Sequence, residues 1–340
     1  MEFPVSARSS AMGGNYVTAR DADLSLADGN PSFLDSNVDK KIDLTYVPYY
    51  AGIDYGYAAY AQTFKKVGTF DASIKYLNYG TFTQADASGN ITGSFSAIDY
   101  LMNIGYGRPI KDSTFSVGAN LKMISSRLSQ YTSLGAAIDL GGSYVSPNKR
   151  FFAGLVIQNV GTQFKEYYSG NSEAIPFDVH GGVAVKLKHA PFRFNLTFQH
   201  LQTWDLTYAD PVDTETVNPL TGQAITHSKI TGFADKLMRH VVPGVEALLG
   251  KNFAIRIGYN YETRQELELA ARRGLVGFSA GFGIKIYKFE LNYSWAEYDL
   301  VGASNTFTIA INLNEFMSHN NTEGSGVPGP PERPILPLSR

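Results

Sequence analysis

Cysteine is absent from the 340 residues, and with it go disulfide frameworks, cysteine-ligated zinc, iron–sulfur clusters and thiol nucleophiles. Charge is scarce too: Asp, Glu, Lys and Arg make up 18% of the chain, where an ordinary soluble domain has roughly 25%. With 29 basic and 31 acidic side chains and a pI near 6.3, the clustered cations on which nucleic-acid binding rests are missing. Nucleic acid is therefore not an expected partner. Nor does any stretch approach the roughly 18 to 20 consecutive apolar residues of a membrane-spanning helix, so a helical membrane protein is excluded. No basic segment followed by an apolar one opens the chain, which reads as mature or trimmed, starting at an introduced or internal Met1.

Glycine and aromatics are plentiful instead, with 33 Gly, 21 Phe, 21 Tyr and 2 Trp. From Ile42 to Leu313 the dominant hydrophobic period is two, the signature of strands. Phe115, Val117, Ala119, Leu121 and Met123 share one face, while Ser116, Gly118, Asn120 and Lys122 share the other. Phe192, Phe194, Leu196 and Phe198 oppose Arg193, Asn195, Thr197 and Gln199 in the same way. Phe253, Ile255 and Ile257 oppose Ala254, Arg256 and Gly258, and the pattern returns in residues 278–286 and 289–295.

A soluble sandwich alternates as well, and three features decide against one. The strands are long, near the 9 to 11 residues that cross a bilayer at about 45° of tilt. Aromatics gather at strand ends, as at Tyr100, Tyr106, Phe177, Tyr259, Tyr261, Tyr287 and Tyr298, where interfacial girdles would lie. The polar face carries Asp71, Lys75, Lys122, Asp139, Lys186, Arg193, Arg256, Lys285 and Glu290, which a polar lumen accepts and a sandwich core does not. The expected fold is all-β, a transmembrane antiparallel up-and-down barrel of about 14 strands. On this reading arginine is costly at lipid-facing Leu196 and mild at lumen-facing Thr197.

Connections alternate in length. Short ones fall at residues 65–67, 110–113, 147–150, 189–191, 251–252 and 287–288. Longer ones fall at residues 48–53, 80–92, 126–132, 161–175, 203–239, 262–274 and 299–304. Bacterial barrels keep short turns periplasmic and long loops external, so both termini are expected in the periplasm and the long loops outside the cell. Three regions follow: an N-terminal plug segment over residues 1–40, a barrel over 41–316 and a Pro-rich periplasmic tail over 317–340. The plug segment is partly helical by its spacing at residues 21–27, before Gly29, Asn30 and Pro31.

Catalytic and metal-binding readings find little support. His180, His189, His200, His227, His240 and His319 occupy no GxSxG- or HExxH-like context. Asp21 with Asp23 and Glu266 with Glu268 are solvated acidic pairs rather than a calcium site, which needs about six converging oxygens. Glycines 274, 277, 281 and 283 sit in an alternating strand without a following helix, so small lumen-facing residues explain them better than a phosphate loop. No enzyme, metal or cofactor is expected.

The stretches FPVSARSSAMGGNYVT (residues 3–18) and DADLSLADGNPSFL (residues 21–34) resemble the plug of the FadL-like fourteen-stranded barrels. That resemblance implies plug roles for Phe3, Arg8, Met12, Gly13, Gly14, Asn15, Asn30 and Pro31. Residues 176–208, 239–267 and 288–313 are similar to the PorQ family of the type IX secretion system of the Bacteroidota. The resemblance implies an outer-membrane scaffold of the cell-surface attachment complex, with a PorZ-like surface protein as partner and, through it, a PorU-like sortase and a PorV-like barrel. Outer-membrane lipid and lipopolysaccharide would surround it. The alternative within the superfamily is a transporter of apolar solutes. A transporter calls for a continuous apolar track, and the polar faces above favour the scaffold. For docking, the longest loop offers Trp204, Tyr208 and Phe233, and the 161–175 loop offers Tyr167 and Tyr168.

Overall fold

The computed structural model describes residues 3–49, 52–110, 113–168, 170, 172–207, 229–267, 274–299 and 302–317. The N-terminal segment holds two short helices, α1 (Ala7–Ala11) and α2 (Leu26–Gly29), and two 3₁₀ turns, Pro31–Phe33 and Ser36–Val38. Fourteen strands follow. In chain order these are β1 (Lys41–Pro48), β2 (Asp54–Phe64), β3 (Gly68–Ala85), β4 (Ile91–Ile110), β5 (Phe115–Leu128), β6 (Tyr131–Val145), β7 (Phe151–Lys165), β8 (Asp178–Lys186) and β9 (Phe192–Phe198). After helix α3 (Lys229–Arg239) come β10 (Val241–Leu249) and β11 (Phe253–Tyr259). Helix α4 (Tyr261–Leu267) precedes β12 (Phe278–Ile286), β13 (Phe289–Asp299), β14 (Gly302–Asn312) and a final turn of helix, α5 (Asn314–Met317).

Each strand pairs antiparallel with its sequence neighbour, and β1 pairs β14 from Lys41↔Asn312 to Tyr46↔Phe307, so the sheet closes. Closure leaves no edge through the ring itself, as a bilayer demands. The expected barrel of about 14 strands is the observed fold. Its outer face is apolar and exposed, with Leu44, Ile104, Leu121, Leu140, Ile257 and Ile309 among the residues pointing out. Near the short turns Phe64, Phe70, Phe115, Phe151, Phe253 and Phe289 form a ring, tied by contacts such as Phe70–Tyr106 at 5.0 Å and Phe115–Tyr144 at 5.0 Å. Such a belt suits a membrane–water boundary.

Several details differ from the sequence reading. The 80–92 loop is strand: β3 and β4 run 18 and 20 residues and pair as far as Ala85↔Ile91. The 126–132 loop shrinks to a tight turn between Leu128 and Tyr131. Helix occupies Leu26–Gly29 and Ala7–Ala11 rather than residues 21–27, because Asp21 and Asp23 turn toward Arg8 instead of continuing a helical face. Residues 203–239 and 262–274 contain α3 and α4. Gly277 lies in a turn with φ +86, and β12 begins one residue later, so the strand reading holds for Gly281 and Gly283 but not for Gly274 and Gly277.

Candidate functional site

The barrel is filled by its own N-terminus. Ser6 caps α1 and exchanges hydrogen bonds with Ser9, and the whole helix is buried. Its small residues bring its backbone close to the wall: Ala7 N–H donates to Thr308 Oγ1 (2.9 Å) and Ser279 Oγ donates to the Ala11 carbonyl (3.1 Å). After Met12 the chain reverses through Gly13 and Gly14, both in the left-handed region (φ +92 and +103) that other residues seldom enter. A side chain on Gly13 would also collide with Val242. Met12 itself is fully buried against Gly244 and Gly258. A second landing lies across the lumen. Asn30 accepts from Ser32 N–H (3.1 Å) and donates to the Val17 carbonyl (3.2 Å), fixing the turn that sets Pro31 over Gly107, Gly118 and Gly141.

Between these landings sits a charge cluster. Arg8 grips Asp21 with both terminal nitrogens (2.7 Å each) and donates through Nε to Glu246 Oε1 (3.0 Å). Glu246, on β10 and fully buried, also accepts from Arg193 Nε (2.6 Å), Arg256 Nε (3.0 Å) and Tyr16 OH (2.8 Å). Arg256 passes the chain of bonds on to Asn292 Oδ1 (2.8 Å). Bidentate arginine–carboxylate geometry with every lone pair used is the arrangement in which buried ion pairs hold best. Further pairs join Lys75 to Asp28 of the plug (2.7 Å) and Lys122 to Asp139 across the wall (2.6 Å).

Among the described residues, a cavity lies at each end, and the two have no lining residue in common. The larger, about 810 Å³, opens at the short-turn end beside Arg20, Lys41, Lys149, Lys186, Lys251 and Lys285. The smaller, about 480 Å³, opens at the long-loop end and holds Asn15, Asp178, His180, Gln199, His200 and Glu262. There Asp178 bridges His180 Nε2 (2.9 Å) and His200 Nδ1 (2.8 Å), and Asn15 of the plug donates to Gln199 Oε1 (3.3 Å). Burial pushes the Glu262 carboxyl of α4 up, against the pull of His200. Among the described residues no group of three or more His, Asp or Glu is placed to hold a metal.

The expected plug residues all contact the wall or other residues of the N-terminal segment, Gly14 through its N–H on the Ser9 carbonyl (3.0 Å). Phe3 packs its ring on Tyr49 (5.3 Å) and Tyr55 (5.8 Å), while Arg8, Met12, Gly13, Asn15, Asn30 and Pro31 make the contacts above. Of the docking residues, Trp204 and Phe233 come together at 5.5 Å and both are exposed, with Trp204 also stacked on His240 (5.6 Å). Tyr167 instead turns down to Ser126 Oγ (2.5 Å), and exposed Tyr168 meets Tyr131 edge-on at 6.3 Å. Tyr208, His227 and the tail beyond residue 317 lie outside the described residues. Sequence reasoning missed Glu246, although Val242, Gly244 and Glu246 keep the period of two that marks a lumen face.

No protein-family model matches the chain, and no curated protein matches its sequence. Solved structures do. A deltaS2 mutant of the TodX monoaromatic hydrocarbon channel superimposes with TM-score 0.53 at 14% identity, covering 91% of this chain and 97% of that one. The Pseudomonas putida toluene transporter TodX gives 0.50 at 13%, covering 91% and 96%. The chain shares the barrel fold of these TodX structures. A Pseudomonas aeruginosa FadL homologue aligns more loosely, at 0.45 and 10% identity over 89% and 98%. This FadL-like fold matches outer-membrane barrels, and the proteins that share it here are channels and transporters rather than enzymes.

Proposed function

We propose that this FadL-like barrel is a non-enzymatic outer-membrane scaffold that holds a surface protein at its long-loop end. The reading follows the resemblance to the type IX attachment complex, with a PorZ-like protein as the partner that links it to a PorU-like sortase and a PorV-like barrel. The observation that carries it is a lumen filled by the N-terminal segment and held at its centre by charge. Arg8, Asp21 and Glu246 tie the plug to the wall, and the lining there is charge, amide and hydroxyl rather than an apolar track. A conduit would be expected to leave its centre weakly held, whereas a rigid anchor gains from filling it. In this reading both termini are periplasmic and the long loops face outward.

Deletion of the chain in its host tests the proposal. Cargo of the secretion system should leave the cell surface and appear in the medium, and the purified barrel should show negligible steady conductance in a planar bilayer. The TodX likeness favours a second reading, a gated channel for apolar solutes. Intact cargo attachment together with lost uptake of an apolar nutrient would put that reading first.

A further inference from the structure

Above the rim the closed barrel reopens. Pairing of β3 with β2 ends at Asp54↔Asn78, and pairing of β4 with β5 ends at Ala97↔Leu128. From Thr81↔Ser96 to Ala85↔Ile91 the two strands continue alone as a ribbon. The neighbouring hairpin is cut short at Ser129 and Gln130, so among the described residues nothing stands beside β4 over residues 91–96 beyond one hydrogen bond from Ser129 N to the Ser96 carbonyl (3.0 Å). A bulge sets the ribbon's angle at the rim. The register shifts between Asn78 and Thr81, Gly80 takes φ +80, and Asn78 Oδ1 accepts the Gly80 amide (3.0 Å).

A two-stranded ribbon is marginal in water by itself, and an exposed strand edge carries a row of unpaired N–H and C=O groups. Proteins usually blunt such edges with lysine, proline or a covering segment. The edge of β7 is treated in that way. Its pairing with β8 stops at Gln158↔Asp178, and residues 172–177 lie beside the remainder, with Asn159 Nδ2 donating to the Pro176 carbonyl (2.9 Å) and Glu173 N–H to Gln163 Oε1 (2.6 Å). Residues 91–96, Ile-Thr-Gly-Ser-Phe-Ser, contain neither charge nor proline, and Ile91 is 76% exposed. Phe82 and Phe95 stack at 5.3 Å and hold the ribbon's face together while leaving its edges open.

We infer that the β4 edge over residues 91–96 is a docking site for an unpaired β-strand of a surface partner, which adds to the ribbon by main-chain pairing. The inference rests on the scaffold reading and gives its partner a chemistry: an extended, uncharged edge strand of a β-rich protein. Main-chain donors and acceptors in a row are complementary to a strand and to little else. A second copy fits less well. Two barrels in one membrane share an orientation, so their β4 edges run the same way and can pair only in parallel, the less stable pattern per residue. A partner approaching from solution is free to pair antiparallel.

The chain lacks cysteine, so a single Ser94→Cys carries a photo-crosslinker cleanly on the full-length barrel in its host membrane. A second probe at Phe233→Cys reports on the aromatic pair of the long loop. The expected result is an adduct at residue 94 to one protein other than the chain itself, with Thr92→Val in the same barrel leaving its yield unchanged. Probed from Thr92→Cys, the adduct should fall about tenfold or more with Ser94→Pro, which removes a ladder N–H, and persist with Ser94→Ala. Replacing residues 81–96 by a short turn, with heat-modifiability as the folding control, should release the partner as well. An adduct of twice the chain's mass, or a partner retained by both the proline and the shortened variant, overturns the inference. If the partner is captured at residue 233 alone, the ribbon fails and the scaffold stands. If neither probe captures a protein, the scaffold reading fails with it.

Discussion

On the wall built by β9 to β13, Glu246 accepts from three arginines and a tyrosine, and each guanidinium is met by a carboxylate or an amide. On the facing wall, from β2 to β5, Asp71 is just as buried, yet neither of its oxygens meets a donor in good geometry. Tyr55 OH, Tyr57 OH, Asn103 Oδ1 and Asn120 Oδ1 nearby are in the same position. One wall thus fastens the plug through a saturated cluster around one carboxylate, while the other holds it by the Lys75–Asp28 pair and by shape, with Pro31 seated over glycines and several polar groups left unsatisfied. The contrast teaches that filling a polar lumen and holding the filling in place are separate tasks. Small lumen-facing residues let the plug in, and a saturated ion cluster decides where it stays.

The sharpest way to break this comparison is Glu246→Ala. It takes away the carboxylate shared by Arg8, Arg193 and Arg256, leaving Asp21 to the first two and only Asn292 to Arg256, and loss of one member of a buried charge group costs about 3 to 5 kcal/mol. Urea unfolding in detergent should show that loss. Trypsin should then cut at Arg8 or Arg20 in a barrel whose strands remain resistant. Unchanged stability would mean that the cluster is not what fastens the plug.

A steric version asks the two landings the same question. Gly258→Val would push into the Met12 main chain on the fastened side, and Gly118→Val into the Pro31 carbonyl on the other. Overpacking of this kind costs about 1 to 3 kcal/mol. Valine at 258 should lower the unfolding midpoint, because α1 is held there and cannot step aside. Valine at 118 should instead loosen residues 30–34 locally, seen as faster amide exchange with a smaller loss of global stability. Equal global losses at the two positions would remove the distinction between the walls.

Much of this arrangement is legible in the sequence, and the gaps have physical causes. Strands such as β5 and β9 declare themselves because Phe115 to Met123 and Phe192 to Phe198 alternate strictly. The ribbon does not, since Thr81, Thr83, Thr92, Ser94 and Ser96 carry too little apolar contrast to set a period, and such a stretch reads as loop. Helix α3 is hidden differently: Ile230, Phe233 and Leu237 stand at helical spacing, but three apolar positions inside a long polar loop set too short a period to stand out. Arg8 came from resemblance, whereas its partner Glu246 is 238 residues away, beyond any local pattern. The mild effect expected for arginine at Thr197 assumed a roomy lumen. Thr197 is 0% exposed and bonded to Asn195 Nδ2 (3.0 Å), so Thr197→Arg should be disruptive for want of space rather than of polarity.

The smallest expected effect is at Asp71, on the less saturated wall. Asp71 Oδ1 and Asn120 Oδ1 crowd the same volume, the one a Cβ on Gly105 would fill, and neither oxygen meets a donor there. Asp71→Asn keeps the shape, removes a buried carboxyl without a side-chain partner, and offers an amide donor to the Asn120 carbonyl oxygen. A new buried hydrogen bond contributes about 1 kcal/mol, and relief of the cost of burying an unpartnered carboxyl adds in the same direction. The variant should therefore unfold at the same urea concentration as the parent or slightly above it, while Glu246→Gln, an equally conservative swap on the other wall, unfolds well below. A clear loss of stability for Asp71→Asn would show that Asp71 is held by a charge interaction after all, and the two walls would then differ in partner rather than in principle.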